Sequence, residues 1–199
     1  MKYPSIIQNL IECFKKFPGV GGKTAERMAL SVLEIDKETI ELFAKSLKES
    51  KTKIRRCEKC NNLSEEDKCE ICKDKNRNNE ILCVVEEPKF VNLFEQLNIF
   101  DGYYHVLDGL ISPIDGINPE DINIPNLIER VKKDKVKEII LALKPSIEGE
   151  TTALYISKML EGTNIKISKI AHGVPMGADI DYVDSLTLEM ALENRRYMD

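Results

Sequence analysis

The apolar positions of the first fifty residues recur at helical spacing. Ile6, Ile7, Leu10, Ile11 and Phe14 follow Pro4 at intervals that predict a helix over residues 4–16. The run FPGVGG breaks it, and TAERMALSVL (24–33) predicts a second helix. A third, over about 37–52, sets Ile40, Phe43, Ala44 and Leu47 on one side and a Lys/Glu face opposite. Residues 55–79 are polar, cysteine-rich and almost free of large apolar side chains, so they cannot bury a core of their own. From residue 80 the rhythm changes. ILCVVEE, YYHVL, EIILAL and IKISKIA read as strands, and PKFVNLFEQL, NLIERVKK, GETTALYISKML and SLTLEMALENRR as helices between and after them. Buried strands separated by helices predict a largely parallel sheet with helices on its faces. The chain therefore reads as a multi-module α/β protein, with expected boundaries at 1–54, 55–79, 80–175 and 176–199.

Composition narrows the class. With 42% hydrophobic and 32% charged residues the chain can bury a core and stay in solution. No apolar run approaches the roughly 20 residues of a membrane span, and the N-terminus lacks the apolar stretch of a secretory signal. A cytoplasmic location, with reduced thiols, is the expectation. The net charge of −5 conceals an asymmetry: residues 1–56 hold 12 Lys/Arg against 7 Asp/Glu, and residues 80–199 hold 12 against 21. A basic N-terminal part joined to an acidic remainder suits a protein that meets phosphate with one end.

The clearest chemical motif is Cys57-x2-Cys60-x8-Cys69-x2-Cys72. Each CxxC pair places two thiolates on one side of a tight turn, and the loop between lets the pairs converge on a tetrahedral ion. Four protein ligands leave no open position, so one structural Zn²⁺ per chain is expected, with a redox pair or an iron–sulfur cluster as the lesser readings. Cys13 and Cys83 are expected in the core.

Phe17-Pro18-Gly19-Val20-Gly21-Gly22-Lys23-Thr24-Ala25 lies between two short predicted helices. Gly22-Lys23-Thr24 is not a P-loop, because Phe17 stands where that motif needs glycine and a helix rather than a strand precedes it. The pattern fits a helix-hairpin-helix, whose second helix can turn its N-terminal amides to a DNA phosphate. Lys23 and Arg27, four residues apart, would add two cations on one face. Such a hairpin reads backbone and not bases. A hairpin used only for packing is the plain alternative, and Ile7, Leu10 and Phe14 are also candidates to pair two chains.

In the α/β part, Glu86 and Glu87 end the first strand, and Lys144-Pro145-Ser146-Ile147-Glu148-Gly149-Glu150 follows the third. Strand ends of this kind are where parallel sheets place their sites. The layout resembles the Toprim domain of topoisomerases, primases and certain nucleases, in which a glutamate after the first strand and an Asp-x-Asp pair after the third hold Mg²⁺. Lys144 and Ser146 occupy the two aspartate positions here, and an ammonium and a hydroxyl do not replace two carboxylates around a hard cation. Glu86, Glu148 and Glu150 remain, which leaves room for weak Mg²⁺ binding but not for cleavage; solvated strand-end carboxylates are the bland alternative. His105 in a predicted strand and His172 in a loop are isolated, and are read as packed or surface imidazoles.

The three modules in this order resemble the RecR family of bacterial recombination proteins. FPGVGGKTAERMA is similar to its hairpin and CEKC…CEIC to its zinc module. VVEEPKFVNLFE, YYHVLDGLISPIDGINPEDI, EGETTALYI and HGVPMGADIDYVDSLTLEMALENRR are similar to its Toprim and C-terminal stretches. The resemblance implies zinc binding by Cys57, Cys60, Cys69 and Cys72, and DNA contact by Lys23 and Arg27. It implies homodimers and a homotetrameric ring around duplex or gapped DNA, sequence-independent binding, and work with RecO and RecF to load RecA. It also implies a binding factor and not an enzyme. The alternative is a Mg²⁺-dependent Toprim nuclease or primase-like enzyme. The family commonly carries Asn-Pro-Thr where Lys144-Pro145-Ser146 stands here.

Overall fold

A computed structural model describes residues 3–171 and 173–195. It divides into two compact units, one ending at Ile54 and the other beginning at Arg55.

The first unit holds α1 (Ser5–Phe14), α2 (Gly22–Ser31), a 3₁₀ turn (Val32–Glu34) and α3 (Lys37–Lys53). Phe14 packs on Ala25 and Ala29 with Leu10, Ile11, Val20, Met28 and Val32 around them. The two alanines, at i and i+4 on α2, give α1 a flat face to lie against. Gly19, at φ 78, takes the left-handed turn that reverses the chain between the helices. Asp36 begins α3 by accepting the Thr39 amide at 2.8 Å. The apolar stripe expected on α3 is present but uncovered, with Phe43 and Leu47 each 46% exposed. Cys13, expected in the core, is exposed, because the core-facing place in the last turn of α1 goes to Phe14.

The second unit opens with a two-stranded antiparallel ribbon, β1 (Arg55–Arg56) and β2 (Leu63–Ser64), and a short helix α4 (Glu70–Lys73). It continues through β3 (Asn78–Val85), α5 (Pro88–Leu97), β4 (Gly102–Val106), α6 (Ile124–Lys133), β5 (Glu138–Ala142), α7 (Ile147–Met159) and β6 (Lys166–Lys169). A 3₁₀ turn (Ile180–Tyr182) and α8 (Ser185–Glu193) close it. The four long strands run in the order β4-β3-β5-β6, every pair parallel. On one face Leu82, Val84, Ile139 and Leu141 meet Leu127 and Val131 of α6 and Ala153 and Ile156 of α7. On the other, Cys83, Val85, Tyr104 and Val106 meet Val91, Phe90 and Phe94 of α5, and Ile71 of α4. Burial on both faces explains why β3 ends in an unbroken apolar run, Ile81–Val85.

The chain leaves β3 for β4 on one side and returns to β5 on the other. The carboxyl ends of β3 and β5 are therefore a topological switch point, the place where such sheets open a crevice.

Candidate metal centre and nucleic-acid interface

The four-cysteine segment is built from two tight turns. In the first, the Asn61 amide donates to the Cys57 carbonyl at 2.8 Å and the Cys57 amide to the Asn62 carbonyl at 2.7 Å. Asn61, at φ 61, takes the left-handed geometry the turn needs. In the second, Cys69 precedes the first residue of α4 and Cys72 lies within that helix. All four Sγ atoms lie within 4.8 Å of one another. A tetrahedral Zn²⁺ with Zn–S bonds of about 2.3 Å requires sulfurs about 3.8 Å apart, so the cluster fits the ion with small adjustments. The Cys69 amide points at Cys57 Sγ from 3.3 Å, as a donor to a thiolate would. Cys60 and Cys69, 3.5 Å apart, share a hydrogen bond that lowers the Cys69 thiol and raises that of Cys60. Four sulfurs so placed become four thiolates only around a cation. With no carboxylate in the set and no open position, a closed structural Zn²⁺ site is what the donors suit.

This module is fastened to the sheet. Val106, ending the outer strand β4, donates its amide to the Cys60 carbonyl at 2.8 Å and accepts from Asn61 Nδ2 at 3.1 Å. Arg56 pairs with Asp108 at 2.5 Å and Lys59 with Asp134 at 3.0 Å. Tyr103 Oη donates to the Asp74 carbonyl at 2.6 Å. None of these partners had a signal in the local sequence pattern.

On the hairpin, Lys23 and Arg27 are both exposed and share one side of α2, opposite the buried Ala25 and Ala29. Neither makes an ion pair with another described residue. Gly21 precedes the helix without a side-chain cap, so the first amides of α2 are not satisfied from within the helix start. Lys15 is neutralised by Glu12 at 2.7 Å. Tyr3 donates to Glu26 at 2.6 Å, which holds the N-terminal arm to α2 and raises the phenol above its ordinary range. In the basic 51–56 stretch, Lys53 pairs with Glu49 at 2.7 Å, Arg55 with Asp67 and Arg56 with Asp108. Lys23 and Arg27 are thus less committed to internal carboxylates than that stretch.

At the switch point, Glu86 follows β3, and burial, with Glu87 adding and Lys144 opposing, raises its carboxyl. Ser146 caps α7 by accepting the Gly149 amide at 3.3 Å, and its hydroxyl holds Glu148 below the usual carboxylate range. Glu150 instead pairs with Lys169 at 2.7 Å. A Cβ on Gly149 would lie 1.9 Å from the Lys144 carbonyl oxygen, so only glycine allows this loop to close so tightly. Among the described residues the cysteine cluster alone brings three or more potential metal ligands together. His105 is fully buried, its Nε2 3.0 Å from the Asn123 carbonyl, and burial lowers it to about 4. His172 lies outside the described residues.

Four family models match the chain. The RecR helix-hairpin-helix model covers residues 7–51, the RecR four-cysteine zinc finger domain 54–74, the Toprim domain 80–171 and the RecR C-terminal model 173–196. The zinc-finger match and the four-sulfur cluster together make Zn²⁺ the structural cofactor of this chain. Among the described residues no helix is long and apolar enough to cross a membrane.

Proposed function

The chain belongs to the RecR family, whose domains serve recombinational repair, and on that premise we propose that it is a cytoplasmic DNA clamp that binds duplex and gapped DNA through phosphate and catalyses nothing itself. The observation that carries this reading is the pair of exposed cations, Lys23 and Arg27, beside the uncapped start of α2. Few charges per chain mean weak binding by one copy, so the clamp gains its hold by repetition in a homodimer or a homotetrameric ring. The uncovered apolar stripe of α3, Phe43 and Leu47 included, supports a contact between copies. Within this reading the acidic α/β unit docks RecO and RecF, and the complex helps RecA onto gapped DNA.

Lys144 and Ser146, with Glu150 engaged by Lys169, leave Glu86 and Glu148 short of the ligand set that Mg²⁺-dependent phosphoryl transfer needs. Any Mg²⁺ held there is bound weakly and does no chemistry. Incubation with end-labelled gapped duplex and Mg²⁺ tests the proposal: the DNA returns unaltered, and complexes form equally on unrelated sequences. Strand scission that disappears in Glu86→Gln would replace this reading with a Toprim enzyme.

A further inference from the structure

Among the large apolar residues from α1 to the 3₁₀ turn, Ile6, Phe17 and Leu33 stay exposed, and Phe17 is the aromatic one of the three. Phe14, Val20, Met28 and Val32 belong to the cluster between α1 and α2, whereas Phe17, in the loop joining them, remains outside it and 49% exposed. An aromatic ring in water at a loop tip loses the transfer free energy that burial would give it. The backbone that carries it is nevertheless held. The Phe17 amide donates to the Phe14 carbonyl at 3.1 Å, and the Phe17 carbonyl accepts from the Val20 amide at 3.2 Å. Pro18 restricts the backbone that follows, and Gly19 takes the left-handed turn. The ring is flanked by Lys16 in sequence and stands on the same loop that leads into Lys23.

We propose that Phe17 is a stacking platform for an unpaired base, giving the hairpin a preference for the single-stranded part of gapped DNA beyond its contacts to phosphate. A π face beside cations is the arrangement by which proteins hold unpaired bases without reading their identity. Intact duplex hides its base faces, so phosphate contact by Lys23 and Arg27 is common to both substrates and stacking belongs only to the gapped one. The inference rests on the DNA-clamp reading.

The test uses full-length protein with two DNAs: a relaxed, covalently closed duplex circle, and the same circle carrying a short gap. Phe17→Leu keeps apolar bulk but has no π face. It should lower affinity for the gapped form by about five- to hundred-fold and leave the closed form unchanged. The chain has no Trp, so Phe17→Trp supplies a single indole, whose emission should be quenched by gapped DNA and not by the closed circle. The proposal is overturned if Phe17→Leu keeps the wild-type preference, if the indole emission is unmoved by bound gapped DNA, or if light scattering shows that Phe17→Leu changes the oligomer, which would make Phe17 a contact between copies. Wild type that binds both DNAs equally also overturns it but leaves the phosphate contacts standing; wild type that binds neither removes the clamp reading as well.

Discussion

Cys60 and Val106 join the zinc site to the sheet: the amide of Val106, at the end of the outer strand β4, donates to the carbonyl of Cys60 at 2.8 Å. An outer strand leaves one row of backbone groups unpaired, and such an edge needs cover. Here the turn that carries a zinc ligand covers the end of the strand, with Asn61 sharing the Val106 carbonyl with Asn123, while Arg130 takes the Tyr104 carbonyl further back. Metal binding and the integrity of β4 are therefore linked.

Removing the metal should consequently be felt beyond the cysteines. Chelation, or Cys60→Ser, is expected to cost more than about 4 kcal/mol, the range associated with loss of a structural metal. Hydrogen exchange should show the Val106 amide losing protection, while amides of α1 and α2, which have their own core, keep theirs. A Val106 amide that stays protected in zinc-free protein would show that the module is not what covers β4.

A second prediction concerns acid. His105 is buried neutral, with its pKa lowered to about 4 from an ordinary 6.5. The unfolded chain therefore binds a proton that the fold refuses, and this contribution is complete above about pH 6.5 and lost as pH falls toward 4. Between pH 6.5 and 5 wild type should lose about 1.5 kcal/mol from this residue. Denaturant titrations of His105→Gln over the same interval should lack that share of the slope, and parallel slopes would show that His105 does not titrate on unfolding.

A third prediction follows from the 1.9 Å between a Cβ at position 149 and the Lys144 oxygen. Gly149→Ala forces backbone apart at the start of α7 and should destabilise the second unit by about 3 kcal/mol. Thermal unfolding within a degree of wild type would mean that the loop opens freely.

Much of this architecture was legible from residue types and spacing, because the signals are local. Pro88–Leu97 is helical as its apolar period indicates, and Cys57, Cys60, Cys69 and Cys72 converge as two CxxC turns must. What the chain pattern did not show are relationships across long separations. Asn61 and Val106 are 45 positions apart, Arg56 and Asp108 are 52 apart, and neither pair carries a periodic or compositional mark. The pairing of Glu150 with Lys169 is of the same kind: spacing brought Glu150 near Glu148 on a helix, and only the fold assigned it to a cation on β6. On α3, period identified an apolar side but could not tell whether this chain covers it, and Phe43 and Leu47 stand exposed.

Whether the hairpin holds DNA by phosphate through Lys23 and Arg27 is decided by affinity for gapped duplex across a salt series, with light scattering on every sample. Wild-type binding should weaken steeply as salt rises, because each neutralised phosphate releases counterions. Lys23→Glu and Arg27→Glu should each bind more weakly on every sequence tried, with a flatter dependence on salt, while keeping the wild-type oligomer and fold. Variants that assemble like wild type and bind as tightly at every salt concentration would contradict the claim and make the hairpin a packing element only.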